Sequence, residues 1–212
     1  MWRMLQLADS AFPTGGFAHS FGLEAAAQAR EVPDLRRHAR DAIWQAGHGS
    51  LPLARAAFLD LSALPALDAQ ADAFLANHVA NRASRTQGRA LLSTCERIFP
   101  REMGPVVAAS RGLCLHLSPL WGAACAALGL SAEETQRLLL WGVARGVLSA
   151  AVRLGLCGTH EGQALLAGLA PVLDEALAAC SALPPQALAQ TAPLQDLLQG
   201  AHDRLYSRLF QS

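Results

Sequence analysis

Few side chains in this 212-residue chain are spaced to do chemistry by themselves. The most suggestive local group is Cys157-Gly158-Thr159-His160-Glu161. It offers thiolate, imidazole and carboxylate, donors that nickel and its first-row neighbours accept. Leu154 and Leu156 beside it favour a buried thiol, however, and Gly158 or Thr159 suits the cap of a following helix. His19, His38, His48, His78, His116, His160 and His202 never stand four apart, so no pair shares a helix face as a chelate. With no close ligand pair, the isolated chain is expected to bind nickel weakly. A direct carrier using Cys157 and His160 is the alternative. His78, among Phe74, Leu75 and Val79, reads as a satisfied histidine at the edge of a core.

Hydrolytic chemistry fares no better. Pro13-Thr14-Gly15-Gly16 has two glycines, but a nucleotide-binding loop also needs a lysine and a preceding strand. All 17 basic residues are arginine. Ser20 adjoins His19, yet sequence neighbours on a helix point in different directions. An enzyme using His19 and Glu24 as acid and base is the weaker reading. No catalytic residue and no cofactor is expected. Glycines after Pro13 suit a turn that needs positive φ or close backbone approach. Gly16→Val is therefore expected to destabilise this segment and weaken partner binding. Cys95, Cys114, Cys125, Cys157 and Cys180 are scattered without a C-x-x-C pair, the pattern of reduced, buried thiols.

The elements that position these residues read as helices throughout. From Ala69 to Phe99, Phe74, Leu75, His78, Val79, Arg82, Leu91, Leu92, Cys95 and Phe99 recur at spacings of three and four. Ser131 followed by Glu134 is a capping box opening a helix to Leu156. Leu138, Trp141, Val143, Leu148 and Val152 spread round that helix, which places it at the centre of a bundle. Breaks are expected at Pro13–Gly16, Gly47–Ser50, Pro65, Pro100–Pro105, Gly155–Gly158, Pro184-Pro185 and Pro193, with a helix start at Pro33. None is a flexible linker. One all-α domain over residues 1–212, of about eight to ten helices, is predicted.

Composition excludes other classes. Hydrophobic residues make up 52%, charged residues 16%, and the net charge is zero. Nucleic-acid binding calls for a basic excess. The nearest approach, Arg30, Arg36, Arg37 and Arg40, is diluted by Glu31, Asp34 and Asp41 and reads as a solvated helix face. No apolar run reaches the roughly 18–20 residues that span a bilayer. The N-terminus lacks a secretory pattern, so a cytoplasmic location is expected. So apolar a chain exposes more greasy surface than a lone monomer keeps, which argues for partners.

Four blocks carry a family resemblance. Leu5 to Glu24 (LQLADSAFPTGGFAHSFGLE) resembles the opening of UreF urease accessory proteins, in the variant typical of eukaryotic members. Ser84-Arg85-Thr86-Gln87-Gly88-Arg89-Ala90-Leu91-Leu92, Ser149 to Gly155 (SAAVRLG) and Leu205 to Ser212 (LYSRLFQS) resemble three further family segments, in order. The joint at Cys157–Gln163 departs from many bacterial members, and acidic residues are sparse. The resemblance implies an all-helical, non-catalytic protein that dimerises, binds UreD (UreH in some species) and recruits the GTPase UreG to apo-urease for nickel delivery. It also implies that Gly15, Gly16, Phe17 and Ser20 in the opening, and Tyr206, Arg208, Leu209 and Phe210 in a tail over residues 200–212, meet partners. That tail is expected to be mobile alone. A helical turn would set Tyr206 and Phe210 on one face and leave Arg208 free.

Overall fold

The computed structural model describes residues 1–29 and 34–212. The helix start at Pro33, with Arg30 and Glu31, lies outside them. The described residues form twelve α-helices and no strand: α1 (Trp2–Ala8), α2 (Leu23–Gln28), α3 (Leu35–Gly49), α4 (Leu51–Leu59), α5 (Leu64–Phe74), α6 (His78–Ile98), α7 (Pro100–Ala109), α8 (Leu117–Ala127), α9 (Ala132–Arg153), α10 (Thr159–Gly168), α11 (Ala170–Cys180) and α12 (Pro193–Gly200). Nine of these run to nine residues or more, and α1, α2 and α12 are shorter.

Helix α9 lies at the centre, against α1, α2, α3, α4, α8, α10 and α11, but Trp141, expected inside, is exposed on its one solvent-facing strip with Glu133 and Arg137. Ser131 accepts from Glu134 N at 3.1 Å, and the Glu134 carboxylate returns to Ser131 N at 2.7 Å, completing the capping box. One core joins α4, α5, α6, α7 and α8 through Leu53, Leu64, Leu91, Met103 and Leu120. A second joins α3, α9 and α11 through Ile43, Leu140, Val147 and Ala176. Helices α4 and α8 meet backbone to backbone. A Cβ on Gly122 would stand 1.8 Å from Ala54 O. Gly88 of α6 likewise lies so close to the turn before α8 that a Cβ would reach Leu115 O at 2.0 Å.

Two segments differ from the sequence pattern. The run from Ala69 to Phe99 is two helices, because Asn77 accepts from Val79 N at 3.0 Å and starts α6 afresh. The break expected at Pro100–Pro105 is instead the helix α7, opened by Pro100 and carrying Pro105 within it. Pro100, at the first helical position, gives up no intrahelical hydrogen bond, whereas Pro105, the sixth residue, gives up one and is still held within the helix. Arg36, Arg37 and Arg40 face solvent on α3 as expected. No single helix among the described residues is long and apolar enough to cross a membrane.

Candidate functional site

The first, third and fourth motif blocks converge on one place. Residues 202–212 lie along α2 and the end of α9, held chiefly by one buried carboxylate. Glu24, 2% exposed, accepts from Leu209 N at 2.6 Å, Phe210 N at 3.1 Å and the His202 Nε2–H at 3.0 Å. Further on, Ser20 N and Ser20 Oγ donate to Ser212 O at 2.6 and 3.0 Å, while Gln211 N donates to Ala18 O at 2.8 Å. His19 Nδ1 stands 2.5 Å from Ser212 Oγ. Phe210 packs with Leu23, Ala150 and Ala151, and the Arg153 guanidinium covers its ring at 4.3 Å. The same guanidinium donates to Phe17 O. The small residues and arginine of the third block are thus the seat for the fourth.

A polar node closes the other side. Arg82 grips Asp203 with two bonds of 2.7 and 3.0 Å, His78 Nε2 adds one at 3.1 Å, and Arg208 Nη1 stands 3.4 Å from Asp203 Oδ1. The bonds from Arg82, and then from His78, hold the Asp203 carboxyl below the usual range. His78 is therefore an exposed partner of Asp203, not a core-edge histidine.

These contacts sort the expected partner residues. The tail is docked on its own domain, and the expectation of a mobile segment gives way to this arrangement. No helical turn pairs Tyr206 with Phe210. Tyr206 is wholly exposed whereas Phe210 is buried, because Glu24 caps two consecutive amides in a bent, non-helical stretch. Ser20 is buried and committed to Ser212. Phe17 (70% exposed), Leu209 and the Arg208 side chain face solvent around them. The turn needs its glycine at Gly15, which has φ +73°. Gly16 has no such need: a Cβ there meets Gln87 Oε1 and Thr14 Oγ1 at an ordinary 3.7 Å. The strain expected of Gly16→Val therefore belongs to Gly15.

The second block lies in α6 and secures the turn before α8. The Ser84 hydroxyl accepts from Leu117 N at 3.1 Å and lies 3.1 Å from His116 Nδ1. His116 Nε2–H donates to Asp72 Oδ1 at 3.0 Å, and buried Asp68 accepts from Cys114 N and His116 N, both at 2.7 Å. Hydrogen bonds from Asn81 and His116 hold the Asp72 carboxyl low. Helical spacing could not reveal this group, whose members are far apart in sequence. Cys157 is half-buried and His160 exposed, and no third ligand joins them among the described residues. Burial pushes the Cys95 thiol up to about 11 and Cys125 to about 12, as expected of inert core thiols.

Burial, with His202 and Arg82 nearby, pushes His19 down to about 4 from 6.5. The unfolded chain then binds a proton that the folded chain refuses. Stability from this group is complete above about pH 6.5 and falls as pH drops from there toward 4, by about 3 kcal/mol in all. His38, lowered by burial too, acts in the same sense. Urea midpoints measured across that window should fall for the wild type and less steeply for His19→Gln. Parallel profiles would count against the assignment.

The chain is thus an all-helical protein whose first, third and fourth motif blocks meet at a docked tail. The UreF family model matches residues 29–170. "Urease accessory protein F" of Arabidopsis thaliana is 36% identical over all of this chain and 92% of its own length. The protein of that name from Oryza sativa subsp. indica is 34% identical over 99% of this chain and 84% of its own. "Urease accessory protein UreF" of Cereibacter sphaeroides strain KD131 is 35% identical over 99% and 97%. The chain belongs to the UreF family of urease accessory proteins.

Proposed function

We propose that this chain is a non-catalytic scaffold of urease maturation that binds UreD (UreH in some species). With it, the chain recruits the GTPase UreG to apo-urease. It acts as a homodimer within that cytoplasmic complex, and nickel is the cargo whose delivery GTP hydrolysis drives. The observation that carries this reading is the docked tail. Buried Phe210 and Ser212 fix the segment, while its outer part offers Tyr206, Arg208 and Leu209 beside Phe17. Aromatic and arginine side chains presented together on a fixed support make good interface anchors.

Arg208 gives the sharpest test, since its side chain's one hydrogen bond among the described residues is the 3.4 Å approach to Asp203. Arg208→Ala should leave the melting temperature nearly unchanged. Retention of UreG on immobilised complex with UreD should weaken by roughly thirtyfold, the equivalent of about 2 kcal/mol for an anchoring arginine. Equal retention of UreG by the two proteins would reduce Arg208 to a packing residue.

A further inference from the structure

We propose that Asp72, Cys114 and His116 form a binding site for a borderline divalent cation such as zinc, nickel or cobalt(II), with one position open to solvent. One ligand atom from each residue lies within 4.8 Å of the other two. Ligands on a tetrahedral ion, at about 2.0–2.3 Å from it, stand roughly 3.3–3.8 Å apart, so a contraction of ~1 Å closes the site.

The backbone is built for this convergence. Leu115 adopts φ +68°, a left-handed conformation unusual for leucine. Its neighbours Cys114 and His116 are turned toward Asp72 rather than to opposite sides. Asp68 fixes both their amides, and α6 at Gly88 presses on the turn from behind. Such strain persists only where the surroundings impose it. Asp72 lines an open groove of about 530 Å³ along α6, which provides an entry path. Three protein ligands and a fourth position facing that groove suit capture and release better than a closed structural site.

Binding replaces the Asp72–His116 hydrogen bond. The ion takes His116 Nε2, the ring proton resides on Nδ1 where Ser84 Oγ accepts it, and the Cys114 thiol releases its proton to solvent. The donor set of thiolate, imidazole and carboxylate selects borderline ions over magnesium or calcium. This site stands apart from Cys157 and His160, and it revises the expectation that the isolated chain lacks clustered ligands. It does not depend on the scaffold reading above.

Cobalt(II) titration of the purified full chain tests it, because thiolate ligation produces a near-ultraviolet charge-transfer band. One equivalent should raise the band, and zinc or nickel should displace it. Cys114→Ala should abolish the band, and Asp72→Asn should weaken affinity at least about tenfold. Cys157→Ala should change neither. The Cys114 side chain makes no hydrogen bond among the described residues and Asn retains an acceptor, so both variants should fold. No band in the wild type, a band that survives Cys114→Ala, unchanged affinity in Asp72→Asn, or loss in Cys157→Ala would each overturn the proposal.

Discussion

Gly122→Ala should cost this protein about 3 kcal/mol or more, the upper end of what overpacking does. The reason is the nature of the obstacle. A methyl group at Gly122 would meet Ala54 O at 1.8 Å, its carbonyl carbon at 2.6 Å and its Cα at 2.9 Å, all backbone atoms of α4. No rotamer change relieves such a clash, so α4 and α8 must part. Parting them loosens Leu53, Ala57, Trp121 and Cys125 in the same core. For a chain of this size, a loss of about 3 kcal/mol lowers the melting temperature by roughly 6–12 °C. Gly142→Ala on α9 is the control, because its Cβ would have nothing within 4 Å. That substitution should be neutral or stabilising by up to about 1 kcal/mol through helix propensity. If thermal denaturation found the two variants equally stable, the close approach of α4 and α8 would be refuted.

The second large effect is expected at Glu24. Glu24→Ala strips the acceptor from Leu209 N, Phe210 N and His202 Nε2 at once. Removing one partner from a buried charged network commonly costs 3–5 kcal/mol. Docking of residues 202–212 adds less than that to stability once the acceptor is gone, so the segment should detach while the helical cores remain. Phe210 would leave Arg153 and the small residues of α9. Glu24→Gln keeps one carbonyl acceptor and should show a partial effect. Native-state hydrogen exchange provides the measurement: the Leu209 and Phe210 amides should lose protection in Glu24→Ala, while amides of α8 and α9 keep theirs. Protection of the tail at wild-type levels would mean that other contacts suffice to hold it. On the scaffold reading, UreG recruitment should fail together with the docking.

What could be read from sequence was whatever is decided within a few turns of chain. The Ser131–Glu134 box, the all-round apolar pattern of α9 and the prolines at helix starts are such signals, and the helical class follows from them. The break at Asn77 was masked because Phe74, His78 and Arg82 continue a helical spacing across it. The positive φ fell on Gly15 rather than Gly16 because nothing local distinguishes two adjacent glycines. Convergence was out of reach altogether. Asp72 meets His116 across 44 residues, and Glu24 meets Phe210 across 186. Periodicity carries no information at that separation. Tyr206 and Phe210 were misplaced for the same reason, since Glu24 rather than local spacing decides their fates.

The long reach of that docking also orders events during synthesis. Ala18, Ser20 and Glu24 leave the ribosome well before residues 202–212, which bring the groups that satisfy them. His202 follows Glu24 by 178 positions, which take roughly 10–40 s to translate at typical rates. Through that interval α9 can fold and the two cores can close, but the segment around Phe17 lacks its support. A chain interrupted before Phe210 would carry most of its hydrophobic core and still not present the surface that Tyr206 and Arg208 complete. Residues 202–212 therefore gate the display of this face, because the segment around Phe17 gains its support only once Phe210 has docked.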